Sequence, residues 1–248
     1  MSHQVRMIDV NGRQIAWQGR EGAGPGVIFL GGFASDMTGT KAEFLDHYCA
    51  QRGRAYTRLD YSGHGASSGD FEEGCIGDWA EDAITVLEEV TEGPQVIIGS
   101  SMGGWIALLM ARARPDKVSA FVGIAAAPDF TEDLMWPDFD EAIQAEIMEK
   151  GVYYEPSEYS DEPTPITRKL IEDGRNQLVL RSPLQINAPV RLIQGMQDPD
   201  VPWQHALKVA DHVDCDDVDI LFRKQADHRL SEPADLALLA QVLDALPL

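Results

Sequence analysis

Short apolar runs alternate with longer helical patterns along most of this chain, and this order constrains the fold more than any other feature. The runs VIFLGG, AYTRLDY, QVIIG and VSAFVGIA each have the composition of a strand, and helical patterns near 40–52, 76–91 and 101–113 separate them. Strands that alternate with helices are joined by crossovers and pair in parallel. The sequence therefore predicts an α/β fold with a mostly parallel, doubly wound sheet and helices on both faces.

A hairpin is expected before this alternation, and an interruption late in it. Asn11 and Gly12 suit a type I′ turn between VRMIDV and RQIAWQG. Residues 129–188 are acidic, aromatic and proline-rich, with helical patterning and no convincing strand, after which VRLIQG, a helix, DVDILFR and a final helix follow. We therefore expect one α/β core, residues 1–128 and 189–248, with residues 129–188 as a cap over the carboxyl ends of the strands.

The pattern Gly-x-Ser-x-Gly occurs twice, at 65–69 (GASSG) and at 99–103 (GSSMG). Ser101 lies between the apolar strand QVII and a helix, so a sharp strand-to-helix turn would lift its hydroxyl above the sheet. Ser67 is followed by the turn-rich SGDFE, which indicates a polar loop. Ser100 occupies the variable position of its motif and is expected to point away from a substrate. Ser101 is therefore the candidate nucleophile.

A serine hydroxyl becomes an effective nucleophile when a base removes its proton and a carboxylate orients that base. His228 is the candidate base, because KQADHRLSEP directly follows the strand DVDILFR and places it at a carboxyl end of the sheet. His205 and His212 fall within one helical segment and are expected to be packing or surface residues.

Asp198 is the candidate orienting acid, since it follows the strand VRLIQG by a few residues in GMQDPDVPW. Its neighbour Asp200 has the character of an acidic turn residue. Ser101, Asp198 and His228 each follow a strand of their own, and they occur in the chain order that this kind of site requires.

Two backbone amides are candidate donors to a developing oxyanion. One is the N–H of Met102, which follows the candidate nucleophile at the start of a helix. The other is the N–H of Phe33, in the loop GGFA after the strand VIFL. A plain glycine turn is the alternative interpretation of that loop.

Charge and cysteine content exclude several classes of function. The formal net charge of −21 leaves no basic surface for nucleic acid and disfavours docking on an anionic membrane. Cys49, Cys75 and Cys215 are far apart without a CxxC spacing, so we expect neither disulfides nor a zinc site. No targeting segment, membrane span, phosphate-binding loop or dinucleotide motif is evident. We expect a cytoplasmic protein without metal, cofactor or stable membrane insertion.

Taken in order, LGGF, DYSGHGASSG, GSSMGGW, GMQDPDVPW and KQADHR resemble the α/β-hydrolase fold family across essentially the whole chain. More narrowly, GTKA, GPQVIIGSSMGGW, ARPDKV and DHR are similar to the subfamily of mitochondrial palmitoyl-protein thioesterases and acyl-glucuronide esterases. The resemblance implies an eight-stranded sheet with a helical cap, and Ser101, Asp198 and His228 as a catalytic triad. The chain begins almost at the first strand, without a mitochondrial leader, as expected of a bacterial or mature form.

The expected function is that of a serine acyl hydrolase acting through an acyl-serine intermediate. Its expected substrates are acylated proteins, such as those with S-palmitoyl cysteine, or small acyl esters and thioesters. A carboxylesterase or acyl-glucuronide esterase would use the same residues, so it remains an alternative. A non-catalytic binding protein that retained the fold is the alternative from another class.

Aromatic residues of the 129–188 segment are candidates to line an acyl channel, and packing within the cap is the alternative for each of them. They are Trp136, Phe139, Tyr153, Tyr154 and Tyr159. Trp203, just after the acid loop, is expected to border the site or to pack in the core.

Overall fold

The computed structural model describes residues 4–156 and 163–247, and within them the chain alternates strands and helices as expected. The strands of this part of the chain are β1 (Arg6–Val10), β2 (Arg13–Arg20), β3 (Ala23–Leu30), β4 (Arg54–Leu59), β5 (Gln95–Ser100), β6 (Val118–Ile124), β7 (Val152–Glu155), β8 (Thr164–Thr167), β9 (Leu184–Gln185), β10 (Val190–Gly195), β11 (Val213–Asp214) and β12 (Val218–Arg223).

Eight of these strands form one sheet in the order β1-β2-β4-β3-β5-β6-β10-β12. Strand β2 pairs antiparallel with both β1 and β4, and every other neighbouring pair is parallel. Asn11 and Gly12 form the expected turn between β1 and β2, with φ of 52° and 86°. The predicted mostly parallel, eight-stranded α/β sheet is therefore confirmed.

Helices cover both faces of this sheet. The helices of the described residues are α1 (Thr40–Arg52), α2 (Ile76–Val90), α3 (Met102–Ala113), α4 (Trp136–Asp138), α5 (Glu141–Lys150), α6 (Arg168–Asn176), α7 (Gln204–His212) and α8 (Pro233–Asp244).

Two hydrophobic clusters form because successive side chains of a strand point to opposite faces of the sheet. Ile28 and Ile97 pack with α2 and α3, whereas Val27 and Val96 pack with α1 and α8 on the other face. The central strands β3, β5 and β6 are apolar on both faces, which explains their continuous runs of apolar residues.

The 129–188 segment leaves β6 through Asp129, a buried residue with φ of 60°. A turn of π-helix, Thr131–Met135, leads into α4, and α5 and α6 follow with the hairpin β7/β8 between them. A third cluster of Phe139, Ile147, Ile166 and Ile171 forms within this segment. Its helices were expected from the sequence.

The hairpin β7/β8 contradicts the prediction that this segment has no strand. Val152–Glu155 pairs antiparallel with Thr164–Thr167, with Tyr153 opposite Ile166. Each strand has only four residues, too few for an alternating pattern to stand out beside the surrounding prolines. The β-branched and aromatic residues of VYYE and TPIT have the propensity that the pairing requires.

In the described residues, no helix has the length and apolar character that crossing a bilayer requires. All strands of the eight-stranded sheet lie before residue 125 or after residue 189. The division into a core and a cap remains a prediction.

Candidate active site

Ser101 lies on the sharp turn between β5 and α3. Its backbone has φ of 54° and ψ of −120°, a conformation that non-glycine residues rarely adopt. Ser101 N donates to Ile124 O on the neighbouring strand at 3.0 Å, which fixes the turn. A side chain at Gly99 would overlap the backbone of Gly103, and one at Gly103 would overlap Leu30 O. The two glycines therefore permit the close approach of β5, α3 and β3.

The three side chains singled out in the sequence form one hydrogen-bonded chain. His228 Nε2 lies 3.0 Å from Ser101 Oγ, and His228 Nδ1 lies 2.9 Å from Asp198 Oδ2. The Asp198 side chain is fully buried, and that of His228 is 17% exposed. Because Asp198 accepts, Nδ1 carries the proton and Nε2 is left to accept from the serine hydroxyl.

Asp198 is held by donors on both of its oxygens. Oδ1 accepts from Asp200 N at 2.9 Å and Val201 N at 2.8 Å, and Oδ2 accepts from Gln194 Nε2 at 2.9 Å as well as from His228. Gln194 is 1% exposed and also donates to Val201 O. Sequence reasoning missed Gln194, although a polar residue near the end of an apolar strand was the available signal.

The backbone amides of Phe33 and Met102 are the two expected oxyanion donors. Among the described residues neither N–H donates to a protein acceptor. Met102 is the first residue of α3, where the helix dipole favours negative charge. Such a pair of donors suits an oxyanion, and removal of one such donor costs about 2.7 to 4 kcal/mol in the transition state of other enzymes.

The loop with Phe33 is held by residues that the sequence analysis did not select. Asp60 Oδ1 accepts from Met37 N at 2.6 Å, and Tyr61 Oη donates to Gly31 O at 3.2 Å. Burial raises the pKa of Asp60, and its bonds from Ala66 N and Met37 N oppose that shift. These contacts tie the loop after β3 to the chain after β4.

Gly32 offers a test of the space beside Ser101. A Cβ at this position would lie 3.4 Å from Ser101 Cβ and 3.9 Å from Ser101 Oγ, which the free protein accommodates. We expect Gly32→Ala to keep the thermal stability of the wild type but to lower kcat/KM about 10- to 100-fold, because the methyl group displaces the reacting carbonyl. Ester hydrolysis and a melting curve measure the two effects, and full activity would contradict this placement of the substrate.

The side chain of Phe33 contacts the rings of Phe71 and Trp79 and also the ring of Phe130, which belongs to the 129–188 segment. Its ring lies 5.0 Å from Phe71, 5.9 Å from Trp79 and 5.9 Å from Phe130. It also packs against the cluster within the 129–188 segment. An apolar surface therefore continues from the loop beside Ser101 to this segment.

Of the aromatic candidates for substrate contact, Trp136 and Tyr153 pack against the cluster of the 129–188 segment, as Phe33 does. Trp136 is also covered by Arg175, whose guanidinium lies 4.8 Å from its ring centre. Trp203 is not part of this cluster, and its ring meets Phe222 of β12 edge-on at 5.5 Å.

The other aromatic candidates differ in burial. Phe139 is buried in the cluster, whereas Tyr154 is half exposed and donates to Glu72 Oε1 at 2.9 Å. Tyr159 lies outside the described residues. Trp105 is fully buried under the turn at Ser101, where its Nε1 donates to Gln177 O at 3.1 Å.

His64, which the sequence analysis did not discuss as a site residue, lies in the aromatic group around Phe33. Its ring meets Phe71 at 4.9 Å and Trp79 at 5.1 Å, edge-on in both cases. Burial lowers the pKa of His64 to about 4, against a smaller opposing effect of the bond to Ser62 O. His64 is therefore neutral at pH 7 and serves as a packing residue.

The serines and histidines outside the candidate triad make structural contacts. Ser67 Oγ accepts from Ala16 N at 2.7 Å and donates to Asp60 O at 2.6 Å. His205 is buried, with Nε2 2.9 Å from Pro128 O, and His212 Nδ1 lies 2.8 Å from Lys208 O. Ser100 is buried as well.

Asp198, Asp200 and His228 are the described side chains whose ligand atoms lie close enough together, within 4.8 Å, to hold a cation. Asp198 and His228 already hydrogen-bond to each other through Asp198 Oδ2 and His228 Nδ1. The arrangement of Asp198 and His228 is that of an oriented base, which has the geometry to take a proton from Ser101 and return it.

Comparison with known proteins shows the family of this chain. A family model described as serine aminopeptidase, S33 (Hydrolase_4), matches residues 26–169. The protein "Palmitoyl-protein thioesterase ABHD10, mitochondrial" from Homo sapiens is 40% identical over 233 residues, which are 94% of this chain and 76% of that protein. The mouse protein of the same name is 42% identical over 94% of this chain and 78% of its own length.

Solved structures show the same similarity. A hydrolase from Agrobacterium vitis S4 superposes with a TM-score of 0.93 at 43% identity, over 99% of both chains. Mouse α/β hydrolase domain-containing protein 10 superposes with a TM-score of 0.90 at 39% identity, over 97% of both chains. The family model covers more than half of this chain, and relatives at about 40% identity cover nearly all of it. The chain therefore belongs to the serine aminopeptidase S33 family of α/β hydrolases and is an enzyme of the serine hydrolase class.

Proposed function

We propose that the protein is a serine acyl hydrolase that cleaves thioesters of the palmitoyl-cysteine type through an acyl-serine intermediate. The observation that carries this proposal is the hydrogen-bonded chain from Ser101 through His228 to Asp198. The substrate class is supported by the relatives named palmitoyl-protein thioesterase, which match 94% of the chain.

In the acylation step, Ser101 Oγ attacks the thioester carbonyl carbon while His228 Nε2 takes the hydroxyl proton. Asp198 holds the ring in place and stabilises the imidazolium that forms. The amides of Phe33 and Met102 donate to the oxyanion of the tetrahedral intermediate. The carbon–sulfur bond then breaks, and His228 returns its proton to the leaving thiolate, which leaves an ester on Ser101.

Deacylation repeats this proton transfer with water. His228 Nε2 takes a proton from a water molecule as its oxygen attacks the acyl-serine carbonyl. The second tetrahedral intermediate collapses, the proton passes from His228 to Ser101 Oγ, and a fatty acid is released. The free enzyme is restored without any further reactant.

Residues 129–188 act as the cap of this enzyme, and residues 1–128 and 189–248 form its catalytic core. The packing of Phe33, Trp136 and Tyr153 against one hydrophobic cluster supports this assignment, because that cluster joins apolar side chains of the segment to the loop beside Ser101. An apolar wall of this kind suits an acyl chain. Trp136 and Tyr153 are the proposed acyl-contact residues, and Trp203 is a weaker candidate because it packs against Phe222.

Matched substrates test the proposed bond specificity. We expect kcat/KM for an S-palmitoyl thioester to exceed that for the oxygen ester of the same acyl chain, since a thiolate leaves with less help from His228 than an alkoxide. An aminoacyl p-nitroanilide should be a poor substrate for the same reason. Chains of several lengths in both series separate the effect of the acyl group from that of the leaving group. A higher kcat/KM for the oxygen esters would favour the carboxylesterase or acyl-glucuronide esterase alternative.

A cytoplasmic location is part of the proposal and is supported by three cysteines that are all free thiols. The relatives named above are mitochondrial, so the two compartments are competing assignments. Fractionation of cells that produce the full chain distinguishes them.

A further inference from the structure

The loop that carries His228 runs from the end of β12 to the start of α8. Its first half is tied to the acid loop, since Gln197 N donates to Ala226 O at 3.0 Å. Asp227 Oδ1 accepts from Arg229 N at 3.0 Å and from Leu230 N at 3.3 Å. Leu230 is buried although its φ is 46°, so the backbone just after His228 is held in a strained conformation.

Lys41 reaches this loop from a distant part of the chain. It is the second residue of α1, which begins at the end of the loop with Phe33. Its Nζ donates to Arg229 O and lies 3.5 Å from Ser231 Oγ. Ser231 Oγ donates to the same carbonyl at 2.9 Å, so two donors converge on the peptide that follows His228 by one residue.

Lys41 is partly buried, and its ammonium group binds a backbone carbonyl. Burial lowers the pKa of Lys41 to about 8, while the nearby carboxylates of Asp227 and Asp235 favour its charged form and Arg229 opposes it. The ammonium ion therefore predominates at pH 7, and it is directed at a backbone carbonyl. A hydrogen bond from a charged donor to a carbonyl is among the stronger ones in proteins.

We propose that Lys41 is a positioning residue that fixes the backbone after His228 and thereby couples the loop carrying Phe33 to the base. This inference rests on the proposed role of His228. In both acylation and deacylation, Lys41 helps to set the distance between His228 Nε2 and Ser101 Oγ. Lys41 itself does not touch the substrate. Ground-state binding of substrate is then independent of Lys41, whereas proton transfer is not.

The test uses Lys41→Met with Lys224→Met as its control, each in the wild type and in a His228→Ala background. Lys224 is exposed in the same loop, so its replacement removes the same charge without removing a contact to the backbone carbonyl of Arg229. Hydrolysis of a p-nitrophenyl ester gives kcat and KM, and melting curves report folding. An activated ester keeps the residual rate of the His228→Ala protein measurable.

We expect Lys41→Met to lower kcat about 10- to 100-fold with an unchanged KM, as for other displacements of a catalytic group. Lys224→Met should keep the wild-type kcat. In the His228→Ala background, Lys41→Met should have no further effect, because a residue that acts through a base has nothing to position when the base is absent.

Three results would overturn the positioning role. They are a wild-type kcat for Lys41→Met, an equal fold loss in the His228→Ala background, or failure of both Lys41→Met and Lys41→Gln to fold. If His228→Ala itself kept full turnover, the proposed function would fail instead. The two failures are therefore distinguishable.

Discussion

Replacing Ser101 with alanine is expected to lower kcat for thioester and ester substrates by about 10⁴- to 10⁶-fold, as removal of a triad nucleophile does elsewhere. Without Oγ there is no atom to accept the acyl group, and His228 has no hydroxyl to deprotonate. The residual rate would come from water attack assisted by the amides of Phe33 and Met102. The change removes one partly exposed oxygen, so the melting temperature should stay near that of the wild type.

Ser67→Ala is the matched control for this experiment, because Ser67 lies in the second Gly-x-Ser-x-Gly motif. Loss of Ser67 Oγ leaves Ala16 N without its acceptor, which costs about 1 to 3 kcal/mol of stability. Its turnover per folded molecule should match the wild type. A large loss of kcat in Ser67→Ala, or near-normal turnover in Ser101→Ala, would contradict the assignment of the nucleophile.

Asp198→Asn is expected to lower kcat by about 10⁴-fold, the effect of the same change in a well-studied triad. Asp200 N and Val201 N both donate to Oδ1, so the new side chain must keep its oxygen on that side. Its NH₂ group then faces His228 Nδ1, which must become the acceptor. The ring proton then lies on Nε2, and Nε2 can no longer accept a proton from the serine hydroxyl.

Gln194 opposes this orientation, because its Nε2 donates to Asp198 Oδ2 and would face the new NH₂ group, but it offers one donor against the two backbone amides at Oδ1. Gln194 Nε2 donates to Val201 O at 3.0 Å as well as to Asp198, so its amide orientation is set independently of Asp198. Asp200→Asn provides the control, since Asp200 is exposed and adjacent to Asp198. Steady-state kinetics on both variants measure the difference. Similar losses in the two variants would show that negative charge near the loop, rather than orientation of His228, accounts for the effect.

The order of strands and helices could be predicted because each element carries its own local signal. The same holds for Ser101, Asp198 and His228, since each follows a strand, and the carboxyl ends of parallel strands meet at one edge of a sheet. The hairpin β7/β8 was missed because each strand has only four residues and the stretch between them, PSEYSDEP, contains no Asn-Gly or Asp-Gly pair of the kind that marks a tight hairpin.

Contacts between distant parts of the chain leave no local signal in the sequence. Asp60 binds Met37 N, 23 residues away, and Lys41 binds the carbonyl of Arg229, 188 residues away. Each of these residues is an ordinary polar residue when only its neighbours in the sequence are considered. Their contacts depend on the packing of whole strands and helices, so they became visible only with the fold.

Labelling with a fluorophosphonate probe tests the central claim most directly, because the probe forms a covalent bond only with a serine activated by its base. Digestion and mass spectrometry of the labelled full chain identify the modified residue. The account predicts a single phosphonylated side chain, Ser101, with labelling abolished in Ser101→Ala and strongly slowed in His228→Ala. Labelling of a different serine would contradict this assignment. No labelling of folded wild-type protein, at a pH at which His228 is neutral, would favour a non-catalytic binding protein.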